Sequence, residues 1–94
     1  MAQVKFGLIG CGNAGGFHVM GSKGNPEGPV KYMAVHDINE KELARFSRLH
    51  KLTPYSELDK FLASDIDAVL LAVPHYLHAT LAKRVVESGK HLIC

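Results

Sequence analysis

With 94 residues, 47% of them hydrophobic and 21% charged, the chain has the composition of one globular domain and is unlike a disordered or fibrous segment. Its formal charge of +2 comes from lysines and arginines scattered singly, without the stripe that tracks a phosphate backbone, so nucleic acid is not an expected partner. The longest unbroken apolar run, residues 68–73, falls far short of the ~20 residues needed to cross a bilayer, and the N-terminus has no secretory pattern. A cytoplasmic protein without a membrane partner is therefore expected.

Taken in chain order, "VKFGLIG" (residues 4–10) is apolar at Val4, Phe6, Leu8 and Ile9 and ends in glycine, as a largely buried strand does. A helix is predicted from about Asn13. The turn-rich "KGNPEGP" reads as a loop, and "VKYMAVHD" (residues 30–37) as a second strand ended by polar groups. Asn39 followed by Glu42 makes an N-terminal capping pattern, and Leu43, Phe46 and Leu49 then recur at helical spacing. A brief strand is predicted near Leu52, and Ser56 with Asp59 repeats the capping pattern before a short helix over 56–63.

"DAVLLAVP" is the most apolar run and suits a central parallel strand covered on both faces. Leu77, Leu81, Ala82, Val85 and Val86 then keep helical spacing until Gly89, after which "KHLIC" begins another strand. Strands alternate with helices and no hairpin signal appears. The fold class is therefore α/β, a Rossmann-type doubly wound parallel sheet of order 3-2-1-4-5, with residues 1–94 forming one domain.

Gly10, Gly12 and Gly15 spell G-x-G-x-x-G directly after the first strand and at the opening of a helix, the context that gives the motif its meaning. Gly10 allows the tight turn, Gly12 lets backbone approach a pyrophosphate, and Gly15 lets helix pack closely on strand. Asn13 and Ala14 complete the loop at the helix N-terminus, whose N–H groups favour phosphate. Asp37 follows Gly15 by about 22 residues, at the end of the second strand, where a carboxylate accepts hydrogen bonds from ribose hydroxyls. Asp37 would repel a 2′-phosphate, and Ile38 and Asn39 offer no guanidinium to clamp one, so NAD is expected over NADP. A glycine loop of the methyltransferase type, binding S-adenosylmethionine, is the rival ligand class, and a turn carboxylate is the plainer role for Asp37.

Together, "FGLIGCGNAGGFHV", "VHD" and "DIDAVLLAVPHYLHATLAKRVVESGKHLIC" resemble the N-terminal cofactor domain of the Gfo/Idh/MocA oxidoreductases, the family of glucose-fructose oxidoreductase and inositol dehydrogenase. That family has Thr-Pro-Asn, two variable residues and His, then a helix ending in Ala-Gly-Lys-His. Pro74, His78, Gly89, Lys90 and His91 match this pattern, while His75 stands where Asn is usual. The resemblance implies that Ala72, Val73, Pro74, His75 and His78 lie beside the nicotinamide end of the cofactor. It also implies that a Glu-Lys-Pro segment, whose Lys assists proton transfer, and a separate substrate domain lie beyond position 94.

The chain is thus expected to be the dinucleotide-binding part of a sugar- or polyol-type dehydrogenase. By itself it would bind cofactor without turnover and hold no catalytic residue. The alternative is a stand-alone module for sensing or scaffolding. His75 and His78 at i, i+3 lack a third ligand, so no metal site is assigned. His18, His36, His50 and His91 are expected at the surface or partly buried, and Asp65 and Asp67 lead into the fourth strand. Cys11 and Cys94 are expected as free thiols held apart by the fourth strand, and the open edge of the fifth strand as a site of self-association.

Overall fold

The computed structural model describes residues 3–10, 19–21, 28–73 and 77–93. Its five strands are β1 (Val4–Ile9), β2 (Val30–His36), β3 (Thr53–Tyr55), β4 (Ala68–Leu71) and β5 (His91–Ile93). They pair in parallel in the order β3-β2-β1-β4-β5, as the alternation of strand and helix predicts. The helices are α1 (Glu40–His50), α2 (Leu58–Leu62) and α3 (His78–Glu87), and residues 19–21 are also helical. Gly12, Gly15 and Gly16, the first part of the predicted helix and both cysteines lie outside the described residues.

Alternation along the strands divides the core into two layers. Phe6, Leu8, Ala68 and Leu70 face one side, where Val19, Leu43, Phe46 and Leu52 cover them. Ile9, Val69 and Leu71 face the other, under Phe61, Leu62, Ile66 and Val85. β4 is buried along its whole length, as a central strand covered on both faces must be. In β2 the pattern breaks. Phe6 pairs with Tyr32 but Gly7 with Ala34, so Met33 is an extra residue and the alternation changes phase there. This bulge lets Tyr32 and Val35, three positions apart, serve the same layer.

Helix α1 begins as its capping residue dictates: the Asn39 side chain accepts from the N–H groups of Lys41 and Glu42, each at 3.1 Å. Its buried face differs from the predicted stripe. Leu43 and Phe46 are buried together with Ser47 and His50, whereas Leu49 is 64% exposed. In α3, Val85 is buried and Val86 is exposed. Helix α2 starts two residues later than expected, with Glu57 rather than Ser56 as the capping position and no side-chain cap bond.

The N-terminal ends of β1, β4 and β5 are clasped by charge and backbone. Lys5 Nζ lies 2.7 Å from Asp65 Oδ2, the Lys5 N–H donates to Asp67 Oδ2 at 3.0 Å, and Lys90 Nζ donates to the Ile66 carbonyl at 2.6 Å. The Lys5 ammonium holds the Asp65 carboxyl below the usual carboxylate range, and Asp65 in turn raises Lys5. Asp65 and Asp67 are thus structural partners leading into β4, at the end of the sheet opposite the candidate site.

Candidate functional site

The sheet is wound in opposite directions on either side of β1, so the carboxyl ends of β1 and β4 form the crevice where ligands of open α/β sheets bind. Three chain segments meet there. The Gly10 N–H donates to the His36 carbonyl at 3.0 Å, joining the end of β1 to that of β2. The Ala72 N–H donates to the Ile9 carbonyl at 2.8 Å, joining the segment after β4 to β1. Gly10 has φ +107°, and a Cβ added to it would stand 2.3 Å from the Ala72 carbonyl oxygen. Only glycine lets the backbone at the end of β1 lie this close to the segment after β4.

On the β2 side, Asp37 is partly buried and its Oδ1 accepts from the Asn39 N–H at 2.9 Å. The carboxylate therefore sits in a turn whose far end is the cap of α1. The bond through Oδ1 orients the carboxylate at the strand end. Ile38, the next residue, is 84% exposed.

On the β4 side, Ala72 and Val73 are partly buried, and His78 Nε2 lies 3.0 Å from the Val73 carbonyl oxygen. Of the residues singled out from the sequence, Gly10, Asp37, Ile38, Ala72, Val73 and His78 are brought to this end of the sheet. Gly12, Asn13, Ala14, Gly15, Pro74 and His75 lie outside the described residues.

His36 and His50 correct the expectation that they are at the surface or only partly buried: they are 5% and 7% exposed. His36 lies under the candidate site, its Nδ1 donating to the Tyr55 carbonyl at 2.9 Å and so tying β2 to β3. Its ring packs 6.0 Å from that of Phe61. His50 packs 4.4 Å from the Phe46 ring. The place of His36 in the sequence, last before a strand-ending aspartate in a run of β-formers, could have marked it as inward-facing, but its polar ring pointed the other way. Asn39, legible only as a helix cap, also bonds Asp37 through its backbone. Among the described residues, no group of three or more His, Cys, Asp or Glu could hold a metal ion, and no helix is long and apolar enough to cross a membrane.

A doubly wound parallel sheet, a positive-φ glycine directly after β1 and a carboxylate at the end of β2 define a dinucleotide-binding module of Rossmann type. Residues 4–94 match the model of the Gfo/Idh/MocA oxidoreductase family, NAD-binding Rossmann fold, and the chain belongs to that family. It is 29% identical to the uncharacterized oxidoreductase YrbE of Bacillus subtilis, over 98% of this chain and 27% of that protein. It is 30% identical to an inositol 2-dehydrogenase of Rhizobium meliloti, over 97% of this chain and 27% of the relative. Among solved structures it superposes with a TM-score of 0.89 and 28% identity on the WlbA dehydrogenase of Bordetella pertussis in complex with NADH and UDP-GlcNAcA. That match covers 97% of this chain and 28% of WlbA. The chain thus spans about a quarter of the length of these relatives.

Proposed function

We propose that this chain forms the cofactor-binding part of an NAD-dependent oxidoreductase acting on a sugar, a polyol or a related hydroxy compound. The observation that carries the reading is the placement of Asp37. Its carboxylate is oriented at the end of β2, the strand next to the Gly10 turn, where a Rossmann module meets the adenosine ribose. Ile38 offers an exposed apolar surface beside it for the adenine. Gly10, with Gly12, Asn13, Ala14 and Gly15 following in the motif, serves the pyrophosphate. Ala72, Val73, Pro74, His75 and His78 serve the nicotinamide side. The sugar and polyol class draws support from the relatives, one an inositol 2-dehydrogenase and another solved with a UDP-sugar acid. A cytoplasmic setting is part of the same reading.

When bound, the dinucleotide would supply hydride chemistry, and the residues named here bind and orient it. Hydride transfer also requires a substrate carbon held about 3 to 3.5 Å from the nicotinamide and a proton-transfer group at the substrate oxygen. The 94 residues are assigned no such group, so the chain binds cofactor without turnover.

Calorimetric titration of the chain with NAD, NADP and S-adenosylmethionine tests the reading. NAD should bind more tightly than NADP, and Asp37→Ala should weaken NAD by about tenfold, the effect of losing a charge-assisted hydrogen bond. The same substitution should narrow the gap to NADP, because the repulsion of a 2′-phosphate goes with the carboxylate. Tighter binding of NADP or of S-adenosylmethionine by the unaltered chain would overturn the assignment.

A further inference from the structure

The segment that leaves β4 is held at two points with different chemistry. Ala72 is fixed by backbone, its N–H bonded to the Ile9 carbonyl at 2.8 Å. Val73, the next residue, is held by a side chain from the first turn of α3, the imidazole of His78. A carbonyl oxygen only accepts, so His78 Nε2 carries the proton and donates over 3.0 Å. The consequence reaches the crevice. Val73 Cγ1 lies 3.0 Å from the position a Cβ on Gly10 would occupy, so the Val73 side chain covers the Gly10 turn on its β4 side. With the adenosine ribose at the end of β2, a dinucleotide crossing the switch point brings its other half to β4, which is where Val73 stands.

We propose that His78 is a positioning residue, acting through Val73: its Nε2–H anchors the Val73 carbonyl and so holds the valine side chain over Gly10, shaping the nicotinamide side of the crevice. This rests on the dinucleotide reading above and assigns His78 a role distinct from direct contact with the cofactor.

The test compares NADH with ADP-ribose, the same molecule without its nicotinamide ring, by calorimetric titration of the chain and of three variants. In His78→Gln the side-chain nitrogen is as many bonds from Cα as Nε2 is, so the anchor is kept. In His78→Asn the nitrogen stops one bond short and the anchor is lost. Val73→Ala trims the positioned group and leaves the imidazole in place, so the comparison survives should the asparagine variant fail to fold. Losing one hydrogen bond's ordering effect should weaken NADH by about five- to tenfold in His78→Asn, with a similar selective loss in Val73→Ala. ADP-ribose should stay within about twofold, and His78→Gln should match the unaltered chain on both ligands. Equal losses on the two ligands would reduce His78 to a general structural role and overturn the inference. Undiminished NADH binding by His78→Asn or by Val73→Ala would also overturn it. An unaltered chain that binds neither ligand would remove the dinucleotide reading itself, whereas binding of both with no selective loss in the variants would remove only the role of His78.

Discussion

Two glycines of β1 and its turn work for different reasons. Gly10 is demanded by conformation and by the Ala72 carbonyl, whereas Gly7 lies inside the strand and is demanded by packing alone. A Cβ on Gly7 would stand 2.5 Å from Cζ of Phe61 and 2.7 Å from Cδ1 of Ile66. Phe61 is fully buried and Ile66 nearly so, leaving neither room to retreat. Gly7→Ala should therefore destabilise the fold by about 1–3 kcal/mol, the range for overpacking a filled core, read as a lower midpoint in denaturant unfolding. An alanine variant as stable as the unaltered chain would mean that the Phe61 ring moves aside without cost. The strand reading of "VKFGLIG" passed over Gly7 because its partners, Phe61 and Ile66, come from a segment more than fifty positions later. A glycine inside a strand was still a signal of close approach.

At the scale of single elements, α1 shows how local chemistry and tertiary packing divide the work. Its start is local: Asn39 satisfies two backbone N–H groups, and Glu40 and Glu42 sit at the positive end of the helix dipole. Asn39→Ala should cost about 1 kcal/mol of stability while Asn39→Ser should cost little, as urea titration of the two variants can show. The cap was legible because its chemistry lies within three residues of sequence. The buried face was legible only in part. At about 100° per residue, Leu49 is turned roughly 120° away from Leu43, whereas Phe46, Ser47 and His50 all lie within about 60° of it. Spacing by threes therefore selected the wrong third residue, and the polar names of Ser47 and His50 hid the true face. Ser47 is satisfied by the Ala44 carbonyl at 3.1 Å. The Met33 bulge and the late start of α2 were illegible for a related reason. The bulge is set by register against β1, which no local pattern in β2 encodes, and around Ser56 the capping pattern is present in sequence but no side-chain cap bond forms. The site was readable where it depends on a motif, as at Gly10 and Asp37, and unreadable where it depends on contact across the fold, as in the hydrogen bond from His36 to the Tyr55 carbonyl.

Across the whole molecule the two ends of the sheet have separate duties: charge and backbone clasp the N-terminal end, and the C-terminal end carries the crevice. Among the described residues the two edges of the sheet are β3 and β5, and they are unequal. β3 is three residues long with Pro54 at its centre, and a proline has no N–H to offer an incoming strand. In β5 the His91 N–H is taken by the Asp67 carbonyl, alternation leaves the Leu92 N–H for the open side, and Ile93 is 43% exposed at the strand's end. Unpaired donors and acceptors beside an apolar side chain are a template for strand addition, and no strand lies beyond β5 among the described residues. Self-association of the chain should accordingly run through β5. Sedimentation velocity over a range of concentrations should show a dimer or larger species that Ile93→Lys diminishes, because a lysine on an edge strand opposes edge-to-edge pairing. Thr53→Lys, which places the same charge on β3, should leave the association unchanged. A chain that stays monomeric at every concentration would remove the proposal, and suppression by Thr53→Lys rather than by Ile93→Lys would move the contact to the proline-blunted edge, contrary to the hydrogen-bonding capacity of the two strands.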